Sequence, residues 1–318
     1  MQAPRAAART STNARIDRRT TRTLLLRSCQ TIRRLGERGF ADDAPVDDYE
    51  LIDAGDGARL ERFGPHIVQR PHSAAIGERR IAGRWADADL RFDRERGWSG
   101  TGVEEAQDGW TVRIADLAFE LRPTDAGQVG VFPEHAAMLP WLRERVEATT
   151  DPVSVLNLFG YTGMVTLALA HSGAAVAHVD AARPAVAWAR RNAALNELDD
   201  RPIRWLVDDA RAFAAREIRR ERRYDGVVLD PPTFGHGASG KAWRLETDLE
   251  PLLDDVRRLL KPTGFVLLTA HTEAIDADDL GTWLSTVVHD VEIGELGLDA
   301  TSGVRLELGS FARGSGAS

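Results

Sequence analysis

Cysteine and lysine are almost missing from this chain of 318 residues. With Cys29 as its one cysteine, the chain has no internal disulfide and no four-cysteine metal site. Sparing use of cysteine is typical of a reducing, intracellular compartment, and the predicted location is cytoplasmic. Of the 41 basic residues only Lys241 and Lys261 are lysines, a bias that indicates genomic base composition.

Long hydrophobic runs are also missing. The purely aliphatic runs, such as residues 24–26, are far shorter than the ~20 residues that a membrane-spanning helix needs. We therefore expect no membrane partner. The length of the chain is sufficient for about two domains with a sizeable core.

Positive charge is scarce outside the first 40 residues. Those 40 hold ten arginines and two acidic residues, a net charge of +8, whereas residues 41–318 hold 31 basic and 47 acidic residues, a net charge of −16. The sequence thus predicts a basic, disordered arm over residues 1–44. Such an arm is typical of an organellar transit peptide, of a nucleic-acid tether, or of upstream sequence included by an over-long start. Its one hydrophobic cluster, between residues 24 and 35, could form a short amphipathic helix.

Residues 45–123 have the pattern of a small antiparallel β module. Short apolar segments at 49–54 and 59–63 flank a glycine turn, and the segments 110–114 and 117–121 repeat the arrangement. Helical periodicity is missing from this stretch. Its large aromatic residues are interpreted as buried anchors or, alternatively, as base-stacking platforms: Trp85, Phe92, Trp98 and Trp110.

From about residue 150, strands alternate with helices. This pattern predicts an α/β domain over residues 124–318 with a doubly wound, Rossmann-like sheet. The first strand, 153–159, is a near-continuous apolar run, as expected of a strand buried on both faces. The next strands are predicted at 174–179, 203–207, 226–229 and 265–269. The helices are predicted at 164–170, 184–195, 211–220, 249–260 and 278–288.

A glycine turn joins the first strand to its helix. Glycines let the backbone approach a ligand closely, and the N-terminus of a helix favours a negative group such as a carboxylate. Twenty residues after Gly160, Asp180 ends the second strand, where a carboxylate can accept both hydroxyls of a ribose. Together these features predict a site for a nucleoside-containing cofactor. The candidate contacts in the turn are Asn157, Phe159, Gly160, Tyr161 and Gly163.

The choice of nucleoside follows from a glycine that is missing. A dinucleotide site usually has the pattern G-x-G-x-x-G, whose backbone cradles a pyrophosphate, but Leu158 stands two positions before Gly160. This favours S-adenosylmethionine, which has no phosphate, over NAD. After the third strand, Asp209 and Ala210 are candidate contacts of the adenine. Asp209 has a helix N-cap as an alternative or simultaneous role.

The fourth strand ends in the sequence Asp230-Pro-Pro-Thr-Phe234. Two consecutive prolines cannot donate backbone hydrogen bonds, so they fix an extended and rigid turn. Asp230 is thereby predicted to face the reactive end of the cofactor and to contact it. A plain cap of the proline turn is the alternative role of this carboxylate.

Several segments resemble the successive motifs of class I S-adenosylmethionine-dependent methyltransferases: residues 157–163, Asp180 with Asn192, Asp209, and residues 230–234. Residues 230–253 further resemble the bacterial large-subunit ribosomal RNA methyltransferases. Upstream, residues 129–134 resemble the element that this family places near the cofactor, which implies Phe132 as a further cofactor contact. The resemblance also implies RNA as the partner and a seven-stranded sheet whose last strand, near residues 304–308, is antiparallel.

The sequence departs from the family pattern at the nucleophile. Cytosine-C5 methyltransferases attack the base with a cysteine thiolate, because an unactivated ring carbon is a poor nucleophile. The resemblance places that cysteine after the fifth strand, where this chain has His271 within Thr-Ala-His-Thr. We therefore expect a nitrogen acceptor, whose own lone pair can attack the methyl group.

A nitrogen acceptor needs to be positioned against the methyl group, and three residues are candidates for this catalytic role. Asp230 and the carbonyl of Pro231 would orient an exocyclic amine, and Phe234 would stack on a flipped base. A ring nitrogen such as guanine N7 would need no general base. His271 is either a base or a structural residue.

A second departure concerns RNA binding. The sequence shows no RNA-binding domain of the PUA type and its body is acidic, whereas nucleic-acid binding normally needs a basic face. The basic candidates are the arm and an arginine cluster between residues 216 and 223, which is also typical of a solvated helix end. A small-molecule or protein N/O-methyltransferase is therefore the alternative function. The pattern predicts no metal site and indicates no particular oligomeric state.

Overall fold

The computed structural model describes residues 32–35, 47–236 and 242–317. Its strands are β1 (Ile32–Arg34), β2 (Tyr49–Gly55), β3 (Ala58–Phe63), β4 (His66–Pro71), β5 (Leu90–Asp93), β6 (Gly97–Ser99), β7 (Trp110–Ile114), β8 (Leu117–Leu121), β9 (Ser154–Leu158), β10 (Ala175–Asp180), β11 (Ile203–Val207), β12 (Tyr224–Leu229), β13 (Phe234–His236), β14 (Ala242–Arg244), β15 (Leu260–Ala270), β16 (Val288–Asp299) and β17 (Arg305–Ala317). Its α-helices are α1 (Val103–Gln107), α2 (Leu139–Glu147), α3 (Met164–His171), α4 (Arg183–Leu195), α5 (Ala210–Arg219), α6 (Leu245–Leu259) and α7 (Ala277–Leu284). Two 3₁₀ helices cover Ala82–Asp87 and Pro133–Met138.

The main sheet has the order β1-β16-β17-β15-β12-β9-β10-β11. β17 runs antiparallel to β15 and β16, and the other neighbouring pairs are parallel. Seven of these strands form the predicted sheet with its antiparallel last strand, and β1 adds an eighth strand at the edge. The predicted doubly wound α/β fold is confirmed.

The sheet is buried on both faces, as its apolar strands predicted. Along β15, Phe265 and Leu267 pack into the cluster that contains α2 and α3, whereas Val266 and Leu268 pack into the cluster that contains α5, α6 and α7. This alternation follows from the two-residue period of a strand. The helices on both faces thus hold the carboxyl ends of the strands in a fixed arrangement.

Element boundaries differ from the predictions at several places. Ile32–Arg34 form a strand rather than part of a helix, because their backbone pairs with residues 291–293 at the sheet edge while their side chains stay exposed. The backbone N–H of Leu35 likewise donates to the Ile293 carbonyl, at 2.9 Å, and the part of the predicted helix before Ile32 lies outside the described residues. α6 begins at Leu245, which is buried. α7 ends at Leu284, since β16 begins at Val288.

The β module contains a sheet in the order β2-β3-β4-β5-β6 and the hairpin β7-β8. Both predicted hairpins are confirmed. α1 and the first 3₁₀ helix were not predicted, because one or two helical turns are too short to produce a periodic pattern. The tryptophans are anchors, since each indole N–H has an acceptor within 3.0 Å: Trp85 donates to the Asp53 carboxylate, Trp98 to the Thr124 carbonyl and Trp110 to the Phe63 carbonyl.

The module shares one hydrophobic core with the main domain. Val112 and Phe119 of the hairpin β7-β8 belong to the same buried cluster as Leu167 of α3. At the surface of this cluster, the indole of Trp188 in α4 donates to the carbonyl of Glu120 in β8, at 2.8 Å. The module is therefore fixed against the helices that flank the carboxyl edge of the sheet.

The described residues from Ile32 onward form one compact unit, and the predicted division at residue 123 stays a prediction. Nearly all of the predicted basic arm lies outside the described residues. Among the residues that are described, no helix has both the length and the apolar content to cross a membrane.

Candidate active site

The candidate site lies at the carboxyl edge of the main sheet, where four neighbouring strands end. In the sheet, β9 lies between β10 and β12, and β15 lies on the far side of β12. The strand order reverses between β9 and β12, and such a switch point opens a crevice for a ligand. Asp180 ends β10, Asp230 follows β12 and His271 follows β15, so the topology brings these side chains to one edge.

The predicted glycine turn after β9 has an unusual backbone. Phe159 and Tyr161 have φ angles of 60° and 48°, in the left-handed region that side chains disfavour. Gly163, with φ of 98°, adopts a conformation that glycine tolerates. Strained non-glycine residues persist only where the surroundings fix them, and they concentrate at functional sites. Here Asn192 in α4 donates to the Thr162 carbonyl, at 2.9 Å, and holds the turn.

Two of the predicted cofactor contacts also have structural roles beneath the turn. The Asn157 amide is buried and donates to Thr166 Oγ1 at 2.8 Å, and that hydroxyl contacts His178 Nδ1. A Cβ on Gly160 would lie 2.5 Å from the His178 ring. The close approach that requires glycine at this position is therefore to His178. Both residues nevertheless line the pocket described below.

Asp180 is fixed beside the turn. Its carboxylate accepts the backbone N–H of Tyr161 at 2.9 Å and that of Ala182 at 2.8 Å. Burial raises the pKa of Asp180 above its ordinary value, the two N–H groups oppose this shift, and the negative charge of Asp230 adds to it. The remaining lone pairs of the carboxylate suit the hydroxyls of a ribose.

Asp209 is the N-cap of α5. Its carboxylate accepts the backbone N–H of Ala212 at 2.9 Å. The neighbouring Asp208 pairs with Arg216 from the same helix. Neither Asp209 nor Ala210 is among the residues that line the two cavities of the site. The capping role is observed, and the predicted contact with adenine stays a prediction.

A pocket runs along the turn, and we call it the turn pocket. It is lined by Phe132, His135, Asn157, Phe159, Gly160, Tyr161, Thr162, Gly163, Met164, Val165 and Asp230. These residues include no lysine or arginine, which suits a cofactor without phosphate. Aromatic rings and one carboxylate suit a sulfonium cation. The residues thus fit S-adenosylmethionine. Asp230 is among them and Asp180 is not, and their predicted contacts with the reactive end and with the ribose of the cofactor stay predictions.

Asp230 is held by side chains from two other segments. The Thr269 hydroxyl donates to Oδ1 at 2.5 Å, and His271 Nε2 lies 3.1 Å from the same oxygen. His135 Nε2 lies 3.4 Å from Oδ2 and 3.1 Å from His271 Nε2. His135 was not predicted, and its one signal in the sequence is its position directly after residues 129–134, the segment that includes Phe132. We call Asp230, His135 and His271 the ion cluster.

The protonation of the ion cluster follows from its charges. Burial by itself would raise the pKa of Asp230, but His135 and His271 hold this pKa well below its ordinary value. Burial would also lower the pKa of His271, yet Asp230, Glu134 and the Leu308 carbonyl raise it to about 9. At neutral pH Asp230 is ionised and His271 is protonated, so His271 is not a general base there. Its Nδ1–H donates to the Leu308 carbonyl at 3.0 Å.

The ion cluster also has the composition of a metal site. Each of Asp230, His135 and His271 offers one ligand atom, and these atoms lie within 4.8 Å of one another. Two imidazoles and a carboxylate can bind zinc or another divalent cation. In this structure, however, the three groups already contact one another. The expectation of a metal-free site stays a prediction.

The proline turn after Asp230 is braced by a small hairpin, β13-β14. Pro231 is buried, and the indole of Trp243 donates to the Pro232 carbonyl at 2.7 Å. Phe234 is 69% exposed on this hairpin, next to the guanidinium of Arg244. It is not among the residues that line the two cavities. Its predicted stacking on a base stays a prediction.

A larger cavity of about 830 Å³ adjoins the turn pocket, and we call it the large cleft. Phe132 lines both cavities. The β module contributes Arg59 and Arg70 to its wall, and the main domain contributes Glu134 and His271. Because His271 lines the cleft while Asp230 and His135 line the turn pocket, the ion cluster lies where the two cavities meet.

The comparisons with known proteins agree with this geometry. Residues 82–289 match the model of the S-adenosylmethionine-dependent methyltransferase family. The chain is also similar to the solved structure of an S-adenosylmethionine-dependent methyltransferase from Agrobacterium tumefaciens, with 33% identity and a TM-score of 0.80. That similarity covers 91% of this chain and 94% of the other.

Curated relatives are similar over part of their length. Ribosomal RNA large subunit methyltransferase K/L of Magnetococcus marinus is 32% identical over 171 residues, which cover 52% of this chain and 23% of that protein. Ribosomal RNA large subunit methyltransferase K of Neisseria meningitidis serogroup B is 29% identical over 153 residues, covering 48% of this chain and 42% of that protein. The chain thus spans less than half of either relative.

The family assignment rests on the longer matches. The family model covers well over half of the chain, from within the β module to the start of β16, and therefore includes the turn pocket and the ion cluster. S-adenosylmethionine is accordingly the cofactor. This agrees with the turn pocket, whose lining residues include no lysine or arginine to bind a phosphate. The chain belongs to the S-adenosylmethionine-dependent methyltransferase family.

Proposed function

We propose that the protein transfers the methyl group of S-adenosylmethionine to a nitrogen atom of large-subunit ribosomal RNA. The observation that carries this proposal is the ionised Asp230 at the junction of the turn pocket and the large cleft. An acceptor that enters the cleft meets the methyl end of the cofactor beside a fixed hydrogen-bond acceptor.

Asp230 acts by orientation and not as a base, because a carboxylate with a strongly lowered pKa holds a proton poorly. Its oxygen and the Pro231 carbonyl accept the two N–H groups of an exocyclic amine. The nitrogen lone pair is then directed at the methyl group, which the cofactor supplies as an electrophile. The nitrogen–methyl bond would form as the sulfur–methyl bond breaks, S-adenosylhomocysteine would leave with the bonding electron pair, and the cationic nitrogen would then lose its proton to solvent.

A nitrogen acceptor also agrees with the residues around it. The described residues that line the turn pocket and the large cleft include no cysteine. Attack on a ring carbon would need such a thiolate. The position after β15 that the family resemblance assigns to the cysteine is occupied by His271 and its neighbours.

The RNA acceptor is supported by the relatives, which are named as ribosomal RNA large subunit methyltransferases. The chain matches only part of them, so their substrates enter this proposal as support and not as identity. Ribosomal RNA as the substrate implies a cytoplasmic protein, or an organellar one if residues 1–40 direct import. It implies no membrane partner.

The proposal is tested by calorimetric titration and methyl transfer. We expect S-adenosylmethionine and S-adenosylhomocysteine to bind and NAD not to bind. We then expect tritium from the labelled cofactor to enter large-subunit RNA when the RNA is unmodified, since RNA from the host already carries the methyl group. Adenosyl-cofactor binding without labelled RNA would contradict the RNA acceptor, and no adenosyl-cofactor binding would contradict the site.

A small molecule or a protein is the second candidate acceptor. The observation that favours it is the charge at the rim of the large cleft, where the exposed charged residues are five acids and the single base Arg94. Such a rim repels a phosphate backbone and attracts a cationic substrate. The acids are Asp125, Glu273, Asp276, Glu295 and Glu307. Transfer of label to host protein or to the small-molecule fraction, with none in RNA, would establish this candidate.

A further inference from the structure

Two arginines of the β module share one buried carboxylate at the inner wall of the large cleft. Arg70 donates to Glu61 Oε2 through Nε at 2.9 Å and through Nη2 at 2.6 Å. Arg59 Nε lies 3.2 Å from the same oxygen, and the Tyr49 hydroxyl donates to Oε1 at 3.2 Å. One carboxylate thus faces two guanidinium groups, and the three residues carry a net charge of +1.

Arg59 has donor capacity that this cluster leaves unused. It is 5% exposed, and its buried Nε and Nη1 have no hydrogen-bond partner of suitable geometry. His72 on the same wall adds no further positive charge, because burial and repulsion by Arg59 lower the pKa of His72 to about 4. A buried cation with unpaired donors is costly unless a ligand or water completes it.

Glu134, on the main-domain side of the cleft, has the opposite deficit. It is 3% exposed, and its buried Oε2 has no hydrogen-bond partner. Its other oxygen lies 3.9 Å from His271 Nδ1. Although Arg59 and Glu134 both line the cleft, no ion-pair contact within 4.0 Å joins them in the described part of the chain. Arg59 and Glu134 thus both line the cleft, and each has a buried side-chain atom without a hydrogen-bond partner in the described part of the chain.

We propose that Arg59 and Glu134 recognise the edge of the acceptor nucleobase, a role that rests on the proposed RNA methyltransferase function. Arg59 donates to a carbonyl oxygen or ring nitrogen, and Glu134 accepts the neighbouring N–H. Nucleobases present an acceptor beside a donor on one edge, and proteins read them with arginine and with glutamate in these roles. A base that is flipped for chemistry is held by such contacts to its edge.

The surroundings fit a base rather than a small ion. The cleft has the volume of a nucleotide-sized site, and Phe132 and Phe92 provide aromatic lining. Glu134 directly precedes His135 in the chain and lies near His271, so the recognition pair adjoins the ion cluster. A base held by Arg59 and Glu134 would therefore present another of its atoms to Asp230.

The test uses conservative substitutions in the full chain. Arg59→Lys keeps the charge but loses the forked donor, and Glu134→Gln keeps the size but loses the charged acceptor. The matched control is Arg62→Met, because Arg62 lies on the same strand, pairs with Glu50 at 3.1 Å and does not line the cleft. The readouts are kcat/KM for tritiated-methyl transfer to unmodified large-subunit RNA, affinity for S-adenosylhomocysteine, and Tm.

We expect both cleft variants to lose about 10- to 100-fold in kcat/KM for RNA, since each removes a hydrogen bond to a charged group. The control should stay within about twofold of the wild type, because its ion pair is only half buried. Affinity for S-adenosylhomocysteine should not change, as neither residue lines the turn pocket. A second readout is inhibition by the four nucleoside monophosphates, whose ranking should change in Glu134→Gln.

The outcomes separate this inference from the function on which it rests. If the wild type labels RNA while both variants keep its kcat/KM and its ranking of nucleotides, water completes Arg59 and Glu134 and the inference is wrong. If the wild type labels no RNA, the proposed function fails and the inference fails with it. If Arg59→Lys does not fold, Glu134→Gln alone decides, because it leaves the arginine cluster of the module intact.

Discussion

The two cavities of the site are built in different ways. The turn pocket comes mostly from one stretch of chain, residues 157–165, and only Phe132, His135 and Asp230 are added from elsewhere. The large cleft is assembled from the β module, the segment before α2 and the ends of β15 and β17. A contiguous motif suits a cofactor that a whole family shares, whereas an assembled cleft lets each member select its own acceptor.

This contrast implies that cofactor binding and acceptor chemistry are separable. The turn and Asp180 should determine cofactor affinity, and the ion cluster should determine turnover. Asp230 tests this separation most directly. It lines the turn pocket, but it is held by two histidines from distant segments of the chain.

The largest expected effect is on turnover in Asp230→Ala. Removal of the carboxylate takes away the group that orients the acceptor and leaves His135 and His271 facing each other at 3.1 Å. We expect kcat to fall by about 100-fold or more, the size of effect that a single preorganised polar group has in other enzymes. Affinity for S-adenosylhomocysteine, measured by calorimetry, should change less than threefold on the same order-of-magnitude argument.

Asp230→Asn is the matched control, since it keeps the shape and loses the charge. If orientation needs only one hydrogen-bond acceptor, the amide should retain more activity than the alanine. A parallel loss of kcat and cofactor affinity in both variants would show that Asp230 belongs functionally to the turn pocket, and the proposed separation would be lost.

The next largest effect is on cofactor affinity in Asp180→Ala. This change removes the acceptor of two backbone N–H groups that fix the strained turn, and it removes the proposed acceptor of the ribose hydroxyls. We expect S-adenosylhomocysteine to bind about 10- to 100-fold more weakly, as for the loss of a charged hydrogen bond. Calorimetric titration measures this affinity, and kcat is measured separately at saturating cofactor. An unchanged affinity would refute the assigned site.

The turn pocket was the part of the site that the sequence could predict. Its residues lie next to one another, and the distance from Gly160 to Asp180 reflects one helix and one strand of ordinary length. The apolar runs over residues 153–159 and 226–229 predicted the strands, because parallel strands buried on both faces need continuous apolar sequence. The polar residues directly after them were therefore recognisable as candidates.

The large cleft and the ion cluster could not be predicted in the same way. His135, Arg59 and Glu134 lie in segments whose position depends on how the β module packs, and no local pattern records that packing. His271 was noticed, but its protonation comes from Asp230, a contact between two strand ends. The sequence also offered a ligand as the reason for Gly160, where the structure shows the His178 ring.

A smaller effect should appear in the pH dependence of stability in His271→Gln. The pKa of His271 is about 9 in the folded protein and 6.5 ordinarily. Between these values the folded state keeps a proton that the unfolded chain has lost. The stabilisation by the pair with Asp230 is therefore complete below pH 6.5 and disappears as the pH rises through 9.

We expect the Tm of the wild type to exceed that of His271→Gln most at about pH 6 and least at about pH 10, which brackets the titration of the imidazole. Glu134 also faces this imidazole, so Glu134→Gln should reduce the dependence slightly, and Asp230→Asn should remove most of it. A Tm difference that stays constant from one end of the range to the other would place the proton elsewhere in the ion cluster.

The smallest effect should follow Asp209→Ala, and it tests how far the contiguous pocket extends. Asp209 caps α5, and loss of such a cap typically costs about 0.5–2 kcal/mol of unfolding free energy. Asp276 caps α7 by accepting from Asp279, so Asp276→Ala is the matched control for a cap. Affinity for S-adenosylhomocysteine should change in neither variant by more than about threefold if both residues act only as caps. A tenfold loss in Asp209→Ala alone would confirm the predicted contact with adenine, and the cofactor site would then extend beyond the turn and α3 to the end of a third strand.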